Sequence, residues 1–181
     1  IAFGTDEYPL QFLGSEASSS NTWLWGWENV NGFPEEILQT ANQVRAAGEE
    51  WRLEPLTTAE FELTDSFNGH SLSIVACGLA EHCYYRGPHS GGAVLVAFSG
   101  VPEEVFAPVT EQKFVALTMQ CIQQFSVDHK LFVESFLLWN GTPYEWQDLT
   151  VTAHFKDDLI IEFEIVDSFW RIKCMKNTGR M

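Results

Sequence analysis

Positive charge is what this sequence has least of. Ten Lys and Arg stand against 25 Asp and Glu, a net charge of −15 over 181 residues. Nucleic acid and anionic membrane surfaces both demand clustered cations, so neither is an expected partner. No apolar run approaches the roughly 20 residues that span a bilayer. No basic-then-apolar start resembles a secretory leader, and a cytoplasmic location is expected. The four cysteines, Cys77, Cys83, Cys121 and Cys174, show no CxxC and no Cys/His spacing of a zinc site. Each lies in an apolar segment, where a reduced thiol behaves as a small hydrophobe, so four free thiols are expected. No cofactor is implied.

Apolar and aromatic residues are plentiful, at 45% and 14%, which is the composition of a packed protein and not of a disordered one. Three of the 7 tryptophans fall within five positions, in Asn21-Thr22-Trp23-Leu24-Trp25-Gly26-Trp27-Glu28-Asn29. In an extended strand alternate side chains share a face, so Trp23, Trp25 and Trp27 point one way and Leu24, Gly26 and Glu28 the other. Burying one indole removes about 150–250 Å² from water, so something must cover this row. A core face beneath the next helix is the first reading. An aromatic platform for a sugar, a peptide or a partner is the second. Between them lies a buried Trp25 with an end ring lining a pocket.

Along the chain, Ile1–Thr5 and Pro9–Leu13 read as strands around a turn at Asp6-Glu7. Pro34, followed by Glu35 and Glu36, suits a helix start, and Ile37, Leu38, Ala41 and Val44 repeat amphipathically up to Gly48, a natural stop. This predicts a helix over 34–47. Residues 59–64 suit a strand or a helical turn, and 71–83 a buried helix weakened by Gly78. Residues 84–92, with Pro88 and three glycines, read as a loop before a strand at 93–98. Thr110 caps a second amphipathic helix. Leu131–Trp139 is ambiguous between the strand and helix periods, and it reads as a helix because Asp128 can cap it and Gly141 can end it. From Leu149 onwards, alternation in three runs predicts an antiparallel three-stranded meander, with Glu162 and Glu164 across from Arg171 and Lys173. The expected fold is α+β: one domain over 1–181 with no second core, a largely antiparallel sheet, and helices packed on one face.

The stretch Phe12-Leu13-Gly14-Ser15-Glu16, the Thr22-Trp23-Leu24-Trp25-Gly26-Trp27 motif and the ending Ala46-Ala47-Gly48-Glu49 together resemble an uncharacterised family of bacterial proteins. In that family a Leu-Gly-Ser turn leads into a Thr-Trp-x-Trp-x-Trp strand and then a helix. Tyr85-Arg86 before a glycine-containing segment and a strand is a further likeness. The likeness is strong over about residues 10–50 and weaker to about residue 100. It implies a compact stand-alone domain, and it lends no activity and no site.

Candidate chemistry is sparse. His82-Cys83 with His89 suggests a thiol nucleophile, but adjacent helical residues diverge by about 100° and no orienting third group is evident. The glycine segment 87–92 precedes a strand, whereas a phosphate cradle needs a helix N-terminus. Glu49-Glu50, Glu103-Glu104 and Asp157-Asp158 fall at element ends, as solvated acids do. Asn140-Gly141-Thr142 matches a glycosylation sequon that would matter only in a secreted eukaryotic protein. Arg86, a rare cation, either holds an anionic ligand group or pairs with a carboxylate. These features favour a non-enzymatic binding protein for a basic protein partner, as an immunity protein covers a toxin nuclease. The alternative is a small-molecule pocket protein, or an enzyme without a readable motif. Its pocket would lie between the tryptophan strand and the 84–92 segment. Trp23, Trp27, Glu28, Tyr85 and Arg86 are the candidate ligand-binding residues. No metal site is expected.

Overall fold

The computed structural model describes residues 1–179. The chain forms two compact units, Ile1–Val105 and Phe106–Met181. Each has its own cluster of buried side chains, so there are two cores where the sequence suggested one.

Unit 1 opens with a short ribbon, β1 (Ala2–Phe3) and β2 (Asp6–Glu7). Its turn falls at Gly4, whose φ of +66° suits glycine. Asp6-Glu7 is therefore a strand and not the turn. There follow β3 (Leu10–Ala17), β4 (Thr22–Trp25), α1 (Gln39–Trp51), β5 (Glu60–Glu62), α2 (Gly69–Ala80), β6 (Cys83–His89) and β7 (Gly92–Phe98). Five of these strands make an antiparallel sheet in the order β5-β4-β3-β7-β6. Val44 of α1 and Leu72, Ala76 and Cys77 of α2 pack with Trp23, Trp25, Ala93, Leu95 and Ala97, so both helices cover one face.

The expected loop at 84–92 is instead a strand joined to the next by a tight turn. Pro88 is tolerated because β6 is an edge strand, where a missing N–H breaks no ladder. The helix expected from Pro34 is divided. A 3₁₀ turn at Glu35–Ile37 precedes α1, which runs through Gly48 and ends at the left-handed Arg52. Gly48 is needed for contact and not for termination: a Cβ there would lie 2.5 Å from Leu56 Cβ.

Unit 2 consists of α3 (Glu111–Gln124), α4 (His129–Trp139) and then β8 (Tyr144–Gln147), β9 (Thr150–His154), β10 (Asp158–Val166) and β11 (Phe169–Asn177). The strands form an antiparallel meander, one strand longer than the alternation predicted. Thr110 and Asp128 cap their helices as expected. Phe114, Val133 and Leu137 from the helices bury Val151, Ala153, Leu159, Ile161 and Phe163. Glu164 faces Arg171, but a bulge after Glu162 sets that residue opposite Cys174, and Lys176 makes its ion pair at 2.7 Å. No described helix is long and apolar enough to cross a membrane.

The two helical glycines should respond oppositely to alanine. Gly48→Ala gains about 0.5–1 kcal/mol of helix preference but forces α1 off Leu56, at a cost of about 1–3 kcal/mol, and should lower stability. Gly78 of α2 has open space where a Cβ would be, so Gly78→Ala should stabilise unit 1 by about 0.5–1 kcal/mol. Urea unfolding of both variants checks the contrast.

Candidate functional site

The tryptophan row begins as a strand and leaves it. Trp23 and Trp25 are buried on the helix-covered face, with rings 5.1 Å apart and nearly perpendicular. Trp25 Nε1 donates to the Pro55 carbonyl at 2.9 Å, which ties β4 to the segment after α1. At Gly26 the chain enters a 3₁₀ turn, Gly26–Glu28, that ends at a left-handed Asn29. Trp27 therefore does not continue the strand. It stacks flat on Trp25, at 4.6 Å and 16°, and stays half-buried with the Arg45 guanidinium 6.0 Å from its ring. Glu28 is exposed beside it.

Tyr85 and Arg86 are neighbours in β6, so they point to opposite faces. Tyr85 lies edge-on to Phe3 of β1 at 5.5 Å. Arg86 shares the helix side of the sheet with Leu95 and reaches Glu16 of β3, its Nε and an Nη both donating to Oε2 at 2.8 Å. The other Glu16 oxygen accepts the N–H of Gly69, the first residue of α2, at 2.9 Å. A carboxylate suits a helix N-terminus, where free N–H groups and the helix dipole favour negative charge. Asn68 completes the start with a capping box, and His70 Nδ1 meets Tyr84 Oη at 3.1 Å. Arg86 thus holds α2 to the sheet through Glu16. The five candidate residues are not gathered at one place.

Three of the four thiols are poorly placed to act as nucleophiles. All four cysteines are free, as expected. Burial pushes the Cys77 thiol up to about 12 and raises Cys83 and Cys121 as well, which disfavours the thiolate. Among the described residues no cluster of three or more His, Cys, Asp or Glu could hold a metal ion.

A different feature of unit 1 is the better candidate. The end of α1, the 3₁₀ turn after it and the outer side of α2 enclose an apolar groove of about 310 Å³. Trp51, Leu53 and Leu56 line it from the first two of these segments, and Phe67, Leu72 and Val75 from α2 and the residues before it. Trp51, Leu53, Phe67 and Val75 are each between 40% and 50% exposed, although all are apolar. Ser71 Oγ donates to the Ser66 carbonyl, so the polar groups at its margin satisfy each other. In the sequence the groove was signalled only weakly: Trp51 lies past Gly48, and residues 71–83 are apolar on more sides than one core requires.

The chain belongs to the family of unknown function DUF6882. The family model matches residues 1–101, which lie wholly within unit 1 and include both the tryptophan motif and the groove. No curated protein and no solved structure matches the chain. The match therefore ends close to where the first compact unit ends.

The Glu16–Arg86 link is measurable by a double-mutant cycle. Arg86→Ala strands a carboxylate whose side chain is 12% exposed and should cost about 1–3 kcal/mol. Glu16→Ala and the double variant should then reveal a coupling of about 0.5–3 kcal/mol. Additive losses would show that the ion pair does not hold the helix.

Proposed function

We propose that this DUF6882 chain is a non-enzymatic binding protein, and that unit 1 receives a basic partner across the apolar groove. The observation that carries this reading is the coincidence of the groove with the charge. Residues 1–105 contain 15 Asp and Glu against 3 Arg and Lys, a net −12 of the chain's −15. Arg45 and Arg86 are engaged by Glu49 and Glu16, so little positive charge is left to offset the acids. The groove segments carry Glu49, Glu50, Glu54, Glu60, Glu62 and Asp65, all exposed, against Arg52. Apolar walls supply affinity by desolvation, while the acidic surround selects and steers a cationic partner. An amphipathic basic helix presenting Leu or Phe at helical spacing has the matching chemistry. The groove's volume supports a second reading, a small apolar ligand, because small-molecule sites begin at about 300 Å³.

A labelled helical peptide of Lys, Leu and Ala, about 14 residues long, should bind the protein in a fluorescence anisotropy titration. Binding should weaken as salt is raised, and Val75→Asp should reduce affinity about tenfold or more, equivalent to about 1.4 kcal/mol. A peptide with Glu in place of every Lys should not bind. Equal affinity for the two peptides would sink the basic-partner reading, and an unaffected Val75→Asp would sink the groove.

A further inference from the structure

In unit 2, four consecutive residues at the start of α4 each engage strand β11. Val127 offers its carbonyl to Arg171 Nη1 at 2.8 Å. Asp128 Oδ1 caps the helix at Leu131 N–H, and Oδ2 accepts from Trp170 N–H at 3.4 Å. His129 Nδ1 accepts from Ile172 N–H at 3.0 Å. The Lys130 ammonium lies 4.9 Å from the Trp146 ring and 4.6 Å from the Trp170 ring, two indoles set 78° apart. Because β11 is the last strand of its sheet, Trp170 and Ile172 would otherwise present unpaired N–H groups at an open edge. Side chains of the helix start replace the missing neighbour strand.

We propose that this seam is an acid-released latch, in which protonation of His129 frees the edge of β11 and loosens the hold of Lys130 on Trp146 and Trp170. A backbone N–H only donates, so Nδ1 in this seam must be the unprotonated nitrogen and the imidazole carries its proton on Nε2. Adding a proton at Nδ1 turns the acceptor into a donor and sets two N–H groups against each other. The charges around the ring are Asp128 and Lys130 on its own segment and Arg171 on the facing strand, with Glu164 opposite Arg171 on β10. Burial holds the pKa of His129 below the ordinary 6.5; Arg171 adds to this and Asp128 opposes it. A depressed pKa means the neutral form stabilises the fold. That contribution is complete above about pH 6.5 and is lost as pH falls through the lower, folded-state value.

The test is hydrogen exchange and NMR on the whole chain between pH 7.5 and 5. Protection of the Ile172 amide, corrected for intrinsic exchange, should fall by up to about tenfold per pH unit between about pH 6.5 and the lower folded-state value of His129, and level off below it. The Ile161 amide in the sheet interior should not follow it. The Trp146 and Trp170 indole signals should shift along the same titration. In His129→Gln, whose amide oxygen accepts without titrating, the pH dependence at Ile172 should vanish. The wild-type protein alone can overturn the latch: an Ile172 amide and indole signals that do not follow the imidazole would do so. Equal pH dependence in His129→Gln would do so as well.

Discussion

Unit 1 depends on getting two indoles under cover. Trp23 and Trp25 are its largest fully buried side chains, and the surrounding elements are arranged to admit them. Gly14 sits directly across from Trp25, and a Cβ at Gly14 would run into the Trp23 ring, so β3 can lie beside β4 only without a side chain at that point. On the other side, α1 and α2 close over the rings, and Trp25 satisfies its one donor on the Pro55 carbonyl. A buried indole N–H without a partner is costly, so this bond also fixes where the chain after α1 runs. The apolar groove lies on that same run of chain. The residues that form it are placed by what the tryptophans require.

The same covered face holds a charge. Glu16 points to the side occupied by Trp23 and Leu95, where an isolated carboxylate would be expensive. It is supported by Arg86 on one oxygen and by the first N–H of α2 on the other. From its sequence context Arg86 could serve either a ligand or a carboxylate, and the geometry gives it a carboxylate. Unit 1 therefore keeps one of its few cations for holding its own helix, which leaves the rest of its surface strongly acidic.

How much of this was legible depends on distance along the chain. Alternation placed Trp23 and Trp25 on one face, and amphipathic spacing found the helices near 39–51 and 111–124. The helix at 129–139 was legible from its Asp128 cap and the Gly141 stop and not from its periodicity. The helix caps Thr110 and Asp128 were legible because a cap and its N–H lie three residues apart. Trp27 was misplaced because the turn that lifts it out of the strand is dictated by Gly26 packing against the Phe12 and Leu13 carbonyls. The strand at 83–89 was hidden by Pro88 and its glycines, which an edge strand accepts and an inner strand would not.

By itself, then, the sequence determined the α+β class, the antiparallel meander, the free thiols and the acidic surface, since each follows from composition or from short repeating patterns. Only the tertiary structure decided that there are two cores, that Arg86 answers Glu16 from 70 residues away, and that segments near 51–56 and 66–75 enclose a groove. It also decided that the start of α4 closes the edge of β11 across more than 40 residues. The physical reason is common to all four. Periodicity records which side of an element is apolar, but not which other element will meet it.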